Sequence, residues 1–347
     1  MARNVVGLDI GTSAVRAAEL SIHRGKVVLV RLGQVGLPPG SVVDGEVVDA
    51  TAVATAIRAL WRQATLGSKR VRLGVANQRV VVRQVDVPWM PPAELRHSLT
   101  FQAQDHLPIP VDDAELDFDV LTELEGQGGQ RMLRILLVAA QREMIAGHLA
   151  AVGRAGLSPI SIDLNSFALL RSLAPATAVS EGGEALVDIG ARVTNVVVHQ
   201  GGAPRFVRIL LKGGEDVTRA LCSRLSLEPE DAELAKLAAS PGPADDPAVA
   251  SAIDTELGAL VDEVSGSLDF YAVQPDAVHP ERVAISGGGS LPAQLAERLQ
   301  AALQVPVERA RPLASVRVGR LGLDPDQLAE LEPRSAVPIG LALGAVA

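Results

Sequence analysis

Two short segments with the same residue pattern lie far apart in the chain and could together bind a chain of phosphates. The first segment is Val6-Gly-Leu-Asp-Ile-Gly-Thr-Ser13, and the second is Leu186-Val-Asp-Ile-Gly190. Each leads from an apolar run through a glycine turn into another apolar run, which predicts a β-hairpin whose turn presents backbone N–H groups. Two such hairpins facing each other could hold a polyphosphate from both sides, while Asp9 and Asp188 hold the water shell of a magnesium ion.

A third glycine-rich turn strengthens this interpretation. Ser286-Gly-Gly-Gly-Ser290 follows a short apolar strand predicted at residues 283–285. One Asp-Ile-Gly turn alone is a weak signal, because glycine often follows a strand. Two copies that lie 179 residues apart (188 minus 9), together with the glycine cluster, predict a nucleotide site. The alternative is that Asp9 and Asp188 only cap their turns.

Length and composition limit the classes of protein to which the chain can belong. Its 347 residues are enough for about two domains. The hydrophobic fraction of 48% is ordinary for a globular protein, but the aromatic fraction of 2% requires a core of aliphatic side chains. The formal net charge of −9 argues against a nucleic-acid partner. The single cysteine, Cys222, leaves no intramolecular disulfide and fits a reducing compartment.

No segment has the features of a signal peptide or of a membrane span. The apolar tail at residues 336–347 is shorter than the roughly 18 residues that a spanning helix needs. The six histidines lack the spacing of a metal site, and His97 beside Glu94 is predicted to be a surface pair on a helix. We therefore expect a cytoplasmic protein that does not insert directly into a membrane.

The elements that would position these residues alternate between strands and helices. In the first module, apolar residues at positions 53, 56, 57, 60, 61 and 64 predict an amphipathic helix with Asp49 or Thr51 as its N-cap. Between residues 70 and 155, strands are predicted at 70–75, 80–87, 115–121 and 131–139, with helices from residue 92 and at 142–155. We interpret this β-β-α-β-β-α block as a small subdomain inserted into the larger fold.

The second module begins at residue 184 with the second hairpin. A strand predicted at 207–211 leads into Lys212-Gly-Gly-Glu-Asp216, and a helix is predicted from Val217. Further helices are predicted at 251–273 and 291–303, and the segment 240–247, rich in Pro and Asp, is predicted to be a surface loop. The repeated hairpin suggests two related halves around a cleft.

Two phosphate hairpins, a glycine cluster and connecting helices in this order resemble the actin, sugar-kinase and Hsp70 ATPase superfamily. The inserted unit resembles the extra subdomain of the division protein FtsA. Within that group, the chain is similar to the type IV pilus assembly protein PilM family, and the resemblance covers nearly the whole chain. The stretches that carry it are Val85-Asp-Val-Pro-Trp-Met-Pro-Pro-Ala-Glu-Leu95, Gln104-Asp-His-Leu-Pro-Ile-Pro110, Leu116-Asp-Phe118, Ala155-Gly-Leu157, Ile162-Asp163 and Phe167-Ala-Leu169.

The resemblance implies an α/β, actin-like ATPase fold, with two related halves around a nucleotide cleft and an inserted FtsA-like subdomain called 1C. The implied domains are 1–69 with 156–180 and 333–347 (1A), 70–155 (1C), 181–213 with 274–332 (2A), and 214–273 (2B, which caps the nucleotide).

By the same resemblance, ATP and Mg²⁺ are the expected ligands, and Asp9 and Asp188 would hold Mg²⁺ through water. Asp163 would orient the attacking water, and its short side chain implies slow turnover. Glu233 would contact the ribose hydroxyls and Lys236 would lie along the base. The residues expected at the phosphates are Gly11, Thr12, Ser13, Arg16, Gly190 and Thr194. The other residues expected around the nucleotide are Gly213, Gly214, Glu215, Gly287, Gly288 and Gly289.

The residue patterns leave simpler interpretations open for several of these positions. Arg16 could be a strand residue that faces solvent. Glu233 and Lys236 are i, i+3 neighbours and could form an ordinary ion pair on a helix surface. Asp163 could be a helix cap after an apolar strand.

The resemblance implies an ATP-binding scaffold of the type IV pilus platform, recruited by partners to the inner face of the cytoplasmic membrane. The expected partner is the N-terminal cytoplasmic peptide of a PilN-type membrane protein, bound in extended form between the first module and the inserted subdomain. Pilus motor ATPases and self-association are further expectations. The alternatives are a filament-forming protein of the FtsA or bacterial-actin type and a small-molecule kinase, which needs a general base at a substrate hydroxyl.

Overall fold

The computed structural model describes residues 3–174, 182–239 and 246–345. Its strands are β1 (Arg3–Ile10), β2 (Ala14–His23), β3 (Lys26–Gly36), β4 (Val42–Val43), β5 (Glu46–Val47), β6 (Arg70–Val75), β7 (Val80–Pro88), β8 (Ala114–Glu125), β9 (Arg131–Gln141), β10 (Ser158–Leu164), β11 (Gly183–Ile189), β12 (Thr194–Gln200), β13 (Ala203–Leu210), β14 (Pro280–Ser286), β15 (Val307–Arg309) and β16 (Arg317–Val318). Its helices are α1 (Ala50–Gln63), α2 (Pro92–Ala103), α3 (Arg142–Arg154), α4 (Asn165–Leu173), α5 (Gly214–Leu225), α6 (Pro229–Ala238), α7 (Pro247–Ala272), α8 (Ala293–Leu303), α9 (Pro325–Leu331) and α10 (Ala336–Leu343). Within these described ranges, no helix combines the length and hydropathy of a membrane span.

The first sheet contains the first predicted hairpin at its centre. Its strand order is β10-β6-β1-β2-β3-β16. The strands β1, β2 and β3 are antiparallel neighbours, whereas β6 is parallel to β1 and β10 is parallel to β6. This register places Asp9 opposite Arg16 in the hairpin and beside Gly74 of β6.

The second sheet repeats this arrangement. Its order is β13-β12-β11-β14-β15, with β11, β12 and β13 antiparallel and with β14 parallel to β11. Asp188 lies opposite Asn195 in the second hairpin and beside Ser286 of β14. The series β3-β2-β1-β6 therefore corresponds to β13-β12-β11-β14, which confirms the prediction of an actin-like fold with two related halves.

Aliphatic side chains build both cores, as the low aromatic content predicts. On the first sheet, α1 buries Val53, Ile57 and Leu60 against β1, β2 and β6. Of the two N-caps predicted for this helix, the structure selects Asp49, whose carboxylate accepts hydrogen bonds from the backbone N–H groups of residues 51 and 52 at 2.9 Å. A carboxylate at this position also suits the positive end of the helix dipole.

The inserted subdomain is smaller than the sequence predicts. Its sheet has the order β7-β9-β8, and α2 covers one face through Leu95 and Leu99. The strand at residues 70–75, which was predicted to belong to this unit, lies instead in the first sheet between β1 and β10. The helix α3 also leaves the unit, because Ala151 and Val152 are buried against the first sheet and α1. A parallel strand in a sheet cannot be assigned to its partners from local periodicity, and this is why the boundary at residue 70 was wrong.

The helices of the second half follow the predictions with shifted ends. The helix α5 begins at Gly214, three residues before the predicted start, because Asp216 accepts the backbone N–H of Gly213 at 2.8 Å and closes the first turn. The helix α8 ends at residue 303 as predicted, and α7 begins at Pro247. Most of the loop predicted at 240–247 lies outside the described residues.

The helix α10 packs against β1 of the first sheet and against α4 without space for further side-chain atoms. A methyl group added at Gly7 of β1 would overlap the carbonyl oxygen of Pro338, and one added at Gly340 would overlap the carbonyl oxygen of Ala168. Backbone therefore lies directly on backbone at this junction. The result is a rigid support beneath the strand that carries Asp9.

Candidate functional site

A cavity of about 370 Å³ lies between the two halves, close to both hairpin turns. Its volume is in the range of small-molecule and cofactor sites. The predicted residues on its wall are Ser13, Arg16, Gly190, Gly213, Gly214, Glu233, Lys236, Gly288 and Gly289. The structure therefore brings together residues that are spread over most of the sequence.

Other predicted residues lie off this wall, namely Asp9, Gly11, Thr12, Asp188, Thr194, Glu215 and Gly287. Thr194 is fully buried, and its hydroxyl donates to the carbonyl oxygen of Lys212 at 2.7 Å. Because this hydroxyl is used inside the protein, its predicted contact with a phosphate has no geometric support. The side chain instead fixes the start of β12 to the loop before α5.

The two hairpin turns are closed in the same way. The N–H of Gly11 donates to the carbonyl oxygen of Ala14 at 3.0 Å, and the N–H of Gly190 donates to that of Val193 at 2.9 Å. A methyl group at Gly190 would approach the Val193 carbonyl oxygen to 2.7 Å. Only glycine fits this turn without a shift of the backbone.

Asp9 is a buried carboxylate at the end of β1. Arg16 donates to one of its oxygens at 3.4 Å, and the amide of Asn165 donates to the other at 3.3 Å. Burial raises the pKa of Asp9 above its ordinary value, and the positive charge of Arg16 opposes this shift. Arg16 is thus not a strand residue that simply faces solvent, because it lines the cavity and approaches Asp9.

Asp188 occupies the corresponding position at the end of β11. The Ser286 hydroxyl donates to it at 2.7 Å. Burial first, and then the negative charge of Asp9, raise the pKa of Asp188 to about 6. The two carboxylates are therefore close enough to repel each other through a medium of low polarity.

This electrostatic arrangement suits a divalent cation. The pKa values of both carboxylates are raised because burial disfavours their ionised forms more than the nearby positive charge favours them. A bound cation would stabilise the ionised forms. In the described ranges there is no group of three or more acidic, His or Cys residues that could hold a metal directly. A magnesium ion held through its water shell by Asp9 and Asp188 fits these residues better than direct coordination.

The other end of the cavity is formed by α5 and α6. Lys236 lies 2.6 Å from the carboxylate of Glu233 and also donates to the Thr218 hydroxyl at 2.9 Å and to the carbonyl oxygen of Gly214 at 3.2 Å. The pair is thus an i, i+3 ion pair, as the simpler interpretation predicted, but both residues also line the cavity. The contact with Gly214 fixes α6 to the start of α5.

The glycine cluster after β14 lets three backbone segments approach one another. Gly287 has φ 87°, and a methyl group there would overlap the carbonyl oxygen of Ile189. A methyl group at Gly289 would lie 2.9 Å from the carbonyl oxygen of Gly190. The cluster therefore packs directly against the second hairpin, and its glycines are required by this contact as well as by the cavity.

An arginine of the second hairpin connects the two halves. Arg192 lies 3.0 Å from the carboxylate of Asp44 in the first half and 2.9 Å from that of Asp216 at the start of α5. Asp216 also accepts the N–H of Gly213, beside the cavity. This chain of charges therefore links the loop before β5 to the wall of the cavity.

Asp163 does not lie on the wall of this cavity. It forms an ion pair with Arg171 of α4 and accepts the N–H of Leu164 at 2.8 Å. Its position argues against the predicted role in orienting water. Asn165, two residues further along the chain, is the group that reaches Asp9, and its side-chain oxygen is buried without a hydrogen-bond partner in the part of the chain that the structure describes.

Asp163 lines a second and larger cavity, of about 730 Å³. This cavity lies between the inserted sheet, α3 and the junction of β10 with α4. Its floor is mostly apolar, and the side chains that form it include Leu136, Val138, Ile145, Ile162, Phe167 and Leu170. Acidic residues of β8 stand along one side, and the ion pair of Asp163 with Arg171 stands on the other.

Comparison with known proteins identifies the family of this chain. The family model for the type IV pilus assembly protein PilM matches residues 7–346. The chain belongs to the PilM family. A solved structure described as the PilM-PilN type IV pilus biogenesis complex is similar to this PilM family chain with a TM-score of 0.87 and 32% identity, covering 99% of this chain and 98% of the other.

More distant relatives of this PilM family chain show the same fold. The cell division protein FtsA of Streptococcus pneumoniae is 26% identical over 256 residues, which are 67% of this chain and 54% of FtsA, so the chain spans about half the length of that relative. The ethanolamine utilization protein EutJ of Carboxydothermus hydrogenoformans has a TM-score of 0.54 at 15% identity, over 98% of this chain and 89% of EutJ. MreB5 of Spiroplasma citri, in a structure bound to ADP, has a TM-score of 0.53 at 13% identity, over 90% of this chain and 94% of MreB5.

Some site residues of this PilM family chain have no local sequence signal. Gln34 and Arg334 line the nucleotide-sized cavity, and both donate to the carboxylate of Glu330, at 3.3 Å and 2.9 Å. They reach the cavity from β3 and from the segment before α10, so only the folded chain brings them together. Asn165 could have been found as the first polar residue of α4, but Asp163 carries the stronger pattern in the sequence.

Proposed function

We propose that this PilM family protein is an ATP-binding scaffold of the type IV pilus assembly platform at the cytoplasmic membrane. Its expected partner is the N-terminal cytoplasmic peptide of a PilN-type membrane protein. The observation that carries the nucleotide part is the cavity close to two related hairpins that end in Asp9, which is buried, and in Asp188, which is half-buried. The partner part is supported by family membership and by the similarity of the whole chain to the PilM of a PilM–PilN complex.

Two groups of residues around the first cavity would contact different parts of a bound nucleotide. Ser13, Arg16 and Gly190 lie at the end near the carboxylates, where phosphates would be held. Glu233 and Lys236, with Arg334 on the same wall, lie where ribose and base would be held. Bound magnesium would neutralise phosphate charge, and Asp9 and Asp188 would orient its water shell.

Turnover in this arrangement is expected to be slow. Hydrolysis of a γ-phosphate depends on a positioned water as well as on charge stabilisation. The residue predicted to orient this water, Asp163, lies on the wall of the other cavity, and Asn165 contacts Asp9 without lining the first cavity. We therefore expect a nucleotide-held scaffold rather than a fast ATPase.

The second cavity is the proposed site of the peptide. It lies where the peptide was predicted, between the first half and the inserted subdomain, and its apolar floor would hold alternate side chains of an extended segment. Its volume of about 730 Å³ is sufficient for several side chains. It is separate from the first cavity, so both ligands could be bound at the same time.

Nucleotide binding is tested by titration of a fluorescent ATP analogue with and without magnesium. The variants are Asp9→Asn and Asp188→Asn, because an amide keeps the shape of each side chain but loses the charge. We expect each variant to lose at least about 10-fold in magnesium-dependent affinity. Asp112→Asn, at an exposed position of the inserted subdomain, is the matched control. Wild-type affinity in both site variants would exclude the nucleotide site described above.

Peptide binding is tested by isothermal titration with a synthetic PilN-type N-terminal peptide. Leu149 lies on α3 at the second cavity and is 37% exposed, so Leu149→Glu places a charge at the apolar wall of a folded protein. Leu234→Glu on α6, at a position that is 65% exposed, is the matched control. We expect loss of binding in the first variant alone. Equal binding by both variants would place the peptide elsewhere.

Self-association of the FtsA type is a second candidate function, supported by the relation to FtsA over 67% of this chain. Sedimentation with and without Mg²⁺-ATP separates the two functions. A filament-forming protein would pellet in the presence of nucleotide, whereas a scaffold would stay in the supernatant and still bind the peptide.

A further inference from the structure

The second cavity has a wall that does not come from the first half or from the inserted subdomain. Gly202 and Pro204 line it; Gly202 lies in the turn between β12 and β13 in the second sheet, and Pro204 is the second residue of β13. Gly201 has φ 56° and Gly202 has φ 83°, which together give the two-residue hairpin turn that only glycine adopts easily. The turn therefore has a fixed shape.

A buried polar chain holds this turn from inside the second half. The N–H of Gly202 donates to Nδ1 of His199 at 3.3 Å, and Nε2 of His199 lies 3.1 Å from the carboxylate of Glu184. His199 and Glu184 are each only 3% exposed, and Arg282 lies 3.1 Å from the other carboxylate oxygen of Glu184. Because Nδ1 accepts, the neutral ring carries its proton on Nε2 and donates it to Glu184.

The inserted subdomain contacts the strand that follows this turn. Gln84 of β7 donates to the carbonyl oxygen of Arg205 in β13 at 2.8 Å, one residue after Pro204. Arg134 of β9 forms a second contact with the same half, 3.0 Å from the carboxylate of Asp276. The hairpin of β12 and β13 is therefore held by His199 at its turn and by Gln84 along β13.

We propose that Gly202 in the turn and Pro204 at the start of β13 form a binding wall for the partner peptide and that His199 is the positioning residue of this wall. This inference rests on the proposed peptide-binding function and adds the second half to it. The peptide is held between the two halves, with an apolar side chain against the ring of Pro204. Its recognition then depends on residues of the second half that do not line the nucleotide cavity.

The same contacts would be seen if His199 only stabilised the fold. The test must therefore separate this structural role from the proposed positioning of the turn. In His199→Asn, the side-chain oxygen takes the position of Nδ1 and can still accept from Gly202, but the link to Glu184 is lost. In His199→Gln, the longer amide can still reach Glu184, but the acceptor for Gly202 is lost. A structural role would respond to the loss of the Glu184 link, whereas a positioning role responds to the loss of the bond to the turn.

Isothermal titration of the full-length protein with the PilN-type peptide is the measurement, with Mg²⁺-ATP affinity as the internal control. We expect His199→Gln and Pro204→Ala to weaken peptide binding about 5-fold each, because each loses roughly one hydrogen bond or one apolar contact. His199→Asn and the exposed control Pro306→Ala should stay within about 2-fold of the wild type. All four variants should keep wild-type affinity for Mg²⁺-ATP.

The outcomes distinguish this inference from the function on which it rests. If the wild type does not bind the peptide, the proposed function is wrong and the inference falls with it. If the wild type binds, and both His199→Gln and Pro204→Ala bind equally well, the turn is not part of the site while the proposed function stands. If a His199 variant does not fold, the Pro204→Ala variant decides alone, because Pro204 is only half-buried near the start of β13.

Discussion

The two carboxylates at the ends of β1 and β11 occupy equivalent positions but have different partners. Asp9 is opposed by Arg16 and by the amide of Asn165, whereas Asp188 has the Ser286 hydroxyl and the repulsion of Asp9. Neither residue is a solvated turn residue, so each carries an electrostatic cost in the ligand-free protein. The two carboxylates therefore destabilise the ligand-free site electrostatically, and a bound cation would offset this cost.

Replacement of Asp188 by Asn should stabilise the ligand-free protein at neutral pH. The pKa of Asp188 is raised to about 6 from 3.8, so the folded state holds its proton more tightly than the unfolded state. The protonated form of Asp188 therefore favours the folded state fully below about pH 4, and this contribution is lost as the pH rises through 6. Relative to its stability at pH 4, the wild type loses on the order of 2–3 kcal/mol of unfolding free energy at pH 7.5.

Urea denaturation at pH 4 and at pH 7.5 measures this effect. We expect the asparagine variant to exceed the wild type in stability only at pH 7.5, and saturating Mg²⁺-ATP to favour the wild type instead. The exposed position Asp112→Asn is the control. A variant that is less stable than the wild type at both pH values would contradict the proposed charge repulsion.

Asn165 and Asp163 should have opposite importance for ATP turnover. Asn165 reaches Asp9, whereas Asp163 is paired with Arg171 on the wall of the other cavity. We expect wild-type turnover below about one per minute, a further loss of about 10-fold in Asn165→Ala, and a change of less than about 2-fold in Asp163→Ala. Phosphate release by purified protein is the assay, with Asp188→Asn as the contamination control. A large loss in Asp163→Ala would restore the role predicted for it from the sequence.

At the scale of elements, glycine determines how closely α10 packs on β1, at Gly7, and on α4, at Gly340. Alanine at Gly7 or at Gly340 would force backbone atoms apart, because the added methyl group overlaps a carbonyl oxygen in each case. We expect either substitution to lower the free energy of unfolding by about 2–4 kcal/mol.

A glycine in another helix provides a control, because its replacement by alanine should raise the free energy of unfolding instead of lowering it. Gly153 lies exposed in α3, and a methyl group there meets no atom within 4 Å. Gly153→Ala should therefore stabilise the protein by about 0.5–1 kcal/mol through helix propensity alone. Chemical denaturation measures all three variants, and an unchanged midpoint in both Gly7→Ala and Gly340→Ala would show that α10 can move away from β1 and from α4 at little cost.

The inserted subdomain should be removable if it is cut at its true ends. Val80 of β7 and Ala140 of β9 are paired neighbours, so residues 81–139 can be replaced by a short Gly-Ser linker without stretching the chain. We expect the shortened protein to fold and to bind Mg²⁺-ATP, because β6 and α3 remain, but to lose peptide binding. Isothermal titration with each ligand gives the result. Peptide binding at wild-type affinity by the folded, shortened protein would contradict the assignment of the second cavity.

At the scale of the whole molecule, one strand connects the two cavities. The strand β12 starts beside the turn that closes at Gly190 and ends at the turn that contains Gly202. Both cavities also have walls from both halves, and Arg192 bridges the halves between Asp44 and Asp216. A ligand in either cavity would therefore contact both halves.

We expect Mg²⁺-ATP and the peptide to strengthen each other's binding by the same factor, on the order of 5-fold, as thermodynamic linkage requires. The affinity of each ligand is measured with and without saturating amounts of the other. Arg192→Ala, which removes the bridge between the halves, should reduce the factor. Identical affinities in the presence and absence of the second ligand would show that the cavities act independently.

The sequence alone determined the two hairpins, the glycine cluster and the aliphatic helix faces. Each of these depends on neighbours within a few residues: a turn needs its glycine, and a buried helix face needs its 3.6-residue period. The resemblance to the PilM family also came from contiguous stretches such as 85–95, and the comparisons confirmed it.

Only the tertiary structure decided which elements and side chains meet. The strand at 70–75 has the period of any half-buried strand, and its place between β1 and β10 depends on parallel pairing with residues far away in sequence. Asp163 and Asn165 are two residues apart, yet the start of α4 at Asn165 turns one toward Asp9 and leaves the other with Arg171. The wall at Gly202 and Pro204 is likewise visible only in three dimensions. Contacts of this kind depend on the direction of each side chain in the packed fold, which no local pattern specifies.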